Sequence, residues 1–166
     1  TKIKYILSPT TGINHIDKKF FSRKDIKILT LQDEKFFLKN VAASTEFTIT
    51  LILMSLRKIK NLFINNNREK FIGKEIYKKK IGIIGLGRIG IKVAKILNTF
   101  GASIYGYDIQ NTNDFKFIKK VKLNYILKNC EIISINIPLN SKTINFLNKD
   151  KLKTLKKNTL LVNSSR

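Results

Sequence analysis

The chain has 166 residues, 43% of them hydrophobic, enough for one packed domain or parts of two. A single cysteine excludes an internal disulfide framework and fits a reducing, cytoplasmic setting. The formal charge of +22 invites a nucleic-acid partner. However, the lysines are spread over the whole chain amid abundant Asn and Ile. No zinc-finger spacing or RNP-type aromatic pattern accompanies them, so compositional drift is the preferred reading and no specific nucleic acid is expected.

In chain order, the apolar run Ile3 to Leu7 reads as a strand stopped at Ser8-Pro9. A turn follows over Thr10 to Asp17, then a short basic helix and a second strand from Asp25 to Leu31. Ser44 or Thr45 is placed to N-cap a long helix reaching about Asn61. Its apolar residues Phe47, Ile49, Leu51, Ile52, Leu53, Met54, Leu56 and Ile59 cover most of its circumference. Burial on several sides is expected, by a second domain or a second subunit. The stretch from Phe47 to Leu56 is too short to span a bilayer. Asn65-Asn66-Asn67 and then Gly73 mark a loop.

The next segment organises the rest. Lys80 to Ile84 is a β-branched run of the kind buried in a parallel sheet. It breaks into Gly85-x-Gly87-x-x-Gly90 and continues at helical spacing to about Phe100, with Gly101 as the C′ residue. In such a turn Gly85 permits the reversal and Gly87 lets a pyrophosphate reach the backbone. Gly90 allows helix and strand to pack closely. The N–H groups of the helix start then face the phosphates. A second strand, Ser103 to Asp108, ends in an acid roughly 20 residues past the glycines, where this fold puts the carboxylate for the adenosine ribose. The competing reading, a purely structural glycine turn, leaves that acid unexplained.

A polar loop is expected over Asn111 to Asp114, a helix near Leu123 to Lys128, and a third strand from Glu131 to Ile137 stopped by Pro138. A helix from Asp150 to Lys156 and a fourth strand, Thr159 to Asn163, complete the alternation. Strands alternating with helices give an α/β chain: a Rossmann-type doubly wound parallel sheet, truncated after its fourth strand. Residues 1–40 are expected to be the remnant of a second α/β substrate domain, and 41–166 the nucleotide-binding domain of a longer protein.

Taken together, these segments resemble the D-isomer-specific 2-hydroxyacid dehydrogenases, the phosphoglycerate dehydrogenase family. The resemblance is carried by Thr11 to Asp17, Ala43 to Lys58, Lys80 to Gly90, Tyr105-Gly106-Tyr107-Asp108, Ile132 to Leu139 and Leu161 to Arg166. It implies NAD as cofactor, a small anionic 2-hydroxy or 2-oxo acid as substrate, and a homodimer assisted by the long helix. It places the backbone of Arg88 and Ile89 at the pyrophosphate, Ile137 and Pro138 beside the adenosine, and Ser164 and Ser165 beside the nicotinamide. Arg166 becomes the residue that anchors the substrate carboxylate, which suits a planar guanidinium fork.

Two departures are visible. Asn136 stands where the family commonly has His, and the acid/base His with its partner Glu falls beyond the arginine motif. His15, the lone His, lies in the substrate-domain segment and is expected to be structural; Cys130 has no His partner and reads as buried filler. No metal cluster is foreseen. Asp108, followed by Ile109 and Gln110 rather than a cation, favours NAD over NADP. A dinucleotide sensor or corepressor without turnover is the alternative from another functional class.

Overall fold

The computed structural model describes residues 3–64, 73–110 and 114–165. The loop expected at Asn65-Asn66-Asn67 and residues 111–113 of the one expected over Asn111 to Asp114 lie outside the described residues, as does Arg166. The chain divides into two compact units between Val41 and Ala42.

The first unit holds β1 (Tyr5–Ser8), α1 (Lys18–Ser22), β2 (Lys27–Thr30) and α2 (Lys35–Asn40). β1 and β2 pair in parallel, Tyr5 opposite Lys27 and Ser8 opposite Thr30. α1 starts where the Asp17 carboxylate accepts the Phe20 N–H at 3.1 Å. His15 is exposed in the preceding turn.

The second unit opens with α3 (Ala43–Leu56) and α4 (Ile59–Ile64). The helix boundaries differ from the sequence expectation at both ends. The cap position is Ala42, with no side-chain cap; Ser44 and Thr45 already lie inside the first turn. One continuous helix to Asn61 is broken because Lys58 sits at φ 49, a left-handed conformation that ends the helical run. α3 buries one stripe, Thr45, Thr48, Ile49, Ile52 and Leu56, at spacings of three and four. Phe47 and Met54 are exposed, so among the described residues α3 is covered along this one stripe. Lys35–Leu56 is long and apolar enough on composition to cross a membrane. Val41 interrupts it with extended backbone, φ −75 and ψ 117.

The sheet contains β3 (Lys80–Ile84), β4 (Ser103–Tyr107), β5 (Ile118–Lys120), β6 (Ile132–Ile135) and β7 (Leu160–Asn163), in the order β5-β4-β3-β6-β7, all parallel. Five strands are present among the described residues, not four: the three-residue edge strand β5 escaped the sequence reading because only Ile118 is apolar and buried. Between the strands run α5 (Arg88–Thr99), α6 (Leu123–Asn129) and α7 (Lys149–Lys153).

Strand alternation splits the core into two layers. Ile81, Ile83, Ile104, Ile132 and Val162 face α3 and α5, meeting Ile52, Val93, Ala94 and Leu97. Ile84, Tyr105, Ile133 and Ile135 face the other way, onto Ile126 and Leu127 of α6. Cys130 is fully buried there, as filler. The chain leaves β3 toward β4 on one side and later returns to place β6 on the other. The carboxyl end of β3 is therefore the point where strand order reverses, the place at which open parallel sheets open a crevice for ligands.

Candidate functional site: a dinucleotide cradle

The turn after β3 occupies that crevice. Gly85 has φ +93, a conformation that disfavours a side chain, and a Cβ there would lie 2.7 Å from the Asn136 carbonyl oxygen. Its N–H donates to the Tyr107 carbonyl at 2.8 Å, tying the turn to the end of β4. A Cβ on Gly90 would run into the Gly85 carbonyl oxygen. Gly90 thus brings α5 down onto the turn itself, as well as onto Ile83 of the strand.

Gly87 is different. It is exposed, and a Cβ there would meet no atom within 4 Å. The space over Gly87 is open beside the start of α5. That helix makes its first backbone bond from the Ile91 N–H to the Gly87 carbonyl, at 3.0 Å. An α-helix offers no acceptor of its own to the amides before that point, so those of Ile89 and Gly90 are placed as anion donors. Open space against glycine backbone at a helix N-terminus is the environment a pyrophosphate requires.

Asp108 stands next to this cradle, half-buried just past β4. Its Oδ2 accepts the Leu86 N–H at 2.6 Å and its Oδ1 the Gln110 N–H at 2.8 Å. An ionised carboxylate accepts about four hydrogen bonds, so these two fix its orientation and leave lone pairs for ribose hydroxyls. Ile109, exposed beside it, offers no charge to a 2′-phosphate. These residues fit a dinucleotide whose ribose is unphosphorylated.

Of the other predicted residues, Ile137, Pro138, Ser164 and Ser165 follow the carboxyl ends of β6 and β7. Ile137 is half-buried and Pro138 exposed, just past β6. The Asn136 N–H donates to the Ile84 carbonyl at 2.7 Å, and its Nδ2 to the Ser134 Oγ at 3.0 Å. Its Oδ1 is buried without a partner among the described residues. Ser165 donates its hydroxyl to the Ile135 carbonyl at 3.0 Å, and its N–H goes to the Asn163 side chain at 3.0 Å. The Ser164 hydroxyl lies 2.7 Å from the Thr48 hydroxyl on α3.

Thr48 is given no role in the sequence analysis. Its one local signal is its position on the stripe with Thr45 and Ile52. Leu86 was missed as well, because a backbone amide has no residue signature. Among the described residues no group of His, Cys, Asp or Glu is arranged to hold a metal.

The comparisons with known proteins agree with this geometry. The family "D-isomer specific 2-hydroxyacid dehydrogenase, NAD binding domain" is matched over residues 49–166. The chain belongs to this family. It is similar to 2-hydroxyacid dehydrogenase A of Aspergillus oryzae, 35% identical over 93% of this chain and 48% of that protein. It is also similar to D-3-phosphoglycerate dehydrogenase of Methanocaldococcus jannaschii, 30% identical over 99% of this chain and 32% of that one. Among solved structures, the NAD-dependent formate dehydrogenase of Staphylococcus aureus in complex with NAD superposes with a TM-score of 0.85. It is 28% identical, with 98% of this chain and 50% of that chain covered. The chain spans half or less of the length of these relatives, and the matched family unit is the one that binds NAD.

Proposed function

We propose that this chain supplies the nucleotide-binding half and the substrate anchor of an NAD-dependent oxidoreductase acting on the CH–OH group of a D-2-hydroxy acid. The observation that carries the proposal is the open glycine backbone over Gly87 beside the oriented Asp108 carboxylate, at the point where strand order reverses. Nicotinamide, when bound, supplies the hydride chemistry at the substrate carbon. The protein's own contribution is placement. The amides of Arg88, Ile89 and Gly90 bind the pyrophosphate, and Asp108 accepts the adenosine ribose hydroxyls. Ile137 and Pro138 border the adenosine, while Ser164 and Ser165 border the nicotinamide. Arg166 holds the substrate carboxylate in a two-point fork and keeps a positive charge beside the reacting carbonyl.

Residues 1–40 belong, in this reading, to the substrate domain. The exposed Phe47 and Met54 of α3 form the surface on which a second subunit packs to make a homodimer in the cytoplasm. Neither membrane nor specific nucleic acid enters the proposal, and the relatives lend no support to a sensor without turnover.

The test is loss of NADH absorbance when the full-length protein meets a panel of 2-oxo acids. Turnover is expected with at least one small anionic 2-oxo acid. In Arg166→Lys, kcat/KM should fall far more than NADH affinity, because charge remains but the fork is lost. Unchanged kcat/KM in that variant, or no turnover with any 2-oxo acid, would contradict the proposal.

A further inference from the structure

Two serine hydroxyls stand where the chain leaves β7, and the structure fixes where each sends its proton. The Thr48 hydroxyl oxygen lies 2.7 Å from the Ser44 carbonyl oxygen and 2.7 Å from the Ser164 hydroxyl. A carbonyl only accepts, so the one Thr48 proton points to Ser44. Turned to Ser164 instead, it would leave the Thr48 and Ser44 oxygens in contact with no hydrogen between them. Ser164 therefore donates to Thr48. Thr48 is fully buried, so this chain of hydrogen bonds is one that water cannot readily replace. Ser165 in turn donates its hydroxyl to the Ile135 carbonyl at 3.0 Å.

A serine hydroxyl carries one hydrogen and two lone pairs. With both hydrogens committed to the protein, Ser164 and Ser165 keep only acceptor capacity for a ligand. Both residues are half-buried rather than sealed. A ligand group that brings an N–H meets an acceptor there. A carboxylate in the same place would set oxygen against oxygen, and a methyl ketone would leave the serine oxygen without a partner.

We propose that Ser164, held as an acceptor by Thr48, selects the carboxamide of the nicotinamide through its NH2 group. Thr48 is the positioning residue: by taking the Ser164 proton it keeps Ser164 from presenting a hydrogen to the ligand. This rests on the reading that sets Ser164 beside the nicotinamide, and it adds a polarity to that reading. Thr48→Val keeps the shape and burial of the side chain but removes the acceptor, which releases the Ser164 proton to the ligand. Thr48→Ser keeps the hydroxyl. Ser164→Ala removes the acceptor that faces the ligand.

The experiment titrates NAD, nicotinic acid adenine dinucleotide and acetylpyridine adenine dinucleotide into the full-length protein by isothermal calorimetry. Wild type, Thr48→Val, Thr48→Ser and Ser164→Ala are compared. The first analogue replaces the carboxamide by a carboxylate and the second by an uncharged methyl ketone. A loss shared by both therefore comes from the missing N–H and not from charge. Wild type should bind NAD about tenfold more tightly than either analogue, the worth of one hydrogen bond. In Thr48→Val the analogues should gain affinity, because Ser164 can now donate to their oxygens, and the preference for NAD should shrink to about twofold or less. In Ser164→Ala it should shrink by the other route, NAD weakening while the analogues hold. Thr48→Ser should keep the wild-type preference. Analogues that bind wild type as tightly as NAD, or a Thr48→Val variant that keeps the full preference, would overturn the proposal. So would a Thr48→Val variant that weakens all three ligands by one factor, since Thr48 would then be merely structural. Absence of saturable NAD binding by wild type would overturn the cofactor reading beneath the proposal, a result distinct from any change in preference.

Discussion

The Asp108 carboxylate grips the glycine turn itself, through the Leu86 N–H at 2.6 Å. The acid that ends β4 thus helps hold the turn that ends β3, before any ligand arrives. Asp108→Ala should for this reason destabilise the ligand-free protein by about 1–3 kcal/mol, the usual worth of hydrogen bonds to a charged group. Urea unfolding monitored by circular dichroism measures it. A fully stable variant would show that the carboxylate does not hold the turn.

Gly87 and Gly90 should separate binding from folding. Gly90→Ala places a Cβ against the Gly85 carbonyl and should cost about 1–3 kcal/mol of stability as an overpacked contact. Gly87→Ala meets open space and has ordinary backbone, φ −79, so unfolding should change by less than about 1 kcal/mol. Its added methyl nevertheless occupies the pyrophosphate's approach, and NADH affinity should fall about tenfold or more. Equal effects of the two substitutions on stability would contradict the assignment.

Much of this site is written in residue types, and the parts that are not share a physical reason. β3, β4 and β6 are legible because strands buried on both faces need uninterrupted apolar runs, and glycines at the reversal announce its geometry. β5 is illegible because an edge strand of Ile118, Lys119 and Lys120 needs just one buried residue. The Thr48–Ser164 bond joins positions 116 residues apart, and no local pattern encodes it. The break at Lys58 is likewise hidden, since a lysine carries no sequence preference for the left-handed conformation it adopts.

Cys130 should be inert. Burial pushes its thiol up to about 12, above the usual value, so at pH 8 it is protonated and shielded. Alkylation by iodoacetamide should proceed only after unfolding in urea. Rapid stoichiometric labelling of the native protein would contradict its place under α6.

Acid should loosen the join between β3 and β6. Partial burial pushes the Glu131 carboxyl up, but the Lys79 ammonium at 2.9 Å and the Lys80 N–H at 3.2 Å outweigh it and hold the carboxyl below its usual value. Because the folded protein favours the charged form, this contribution is complete above the ordinary carboxylate range. It is lost as pH falls through the lowered folded value. The pair is partly solvated, so the effect is small. Glu131→Gln should flatten the acid limb of stability against pH, measured by urea midpoints between about pH 6 and pH 3. An identical acid limb in both proteins would remove Glu131 from that role.

Titration of the protein with NADH and NADPH in parallel, by isothermal calorimetry, addresses the central claim most directly: a dinucleotide site built from the Gly85–Gly90 turn and selected for NAD by Asp108. The account predicts one saturable site per chain, tighter for NADH, with Asp108→Ala weakening NADH by about tenfold or more while changing NADPH little. Absence of saturable binding, or tighter binding of NADPH by the unaltered protein, would contradict it.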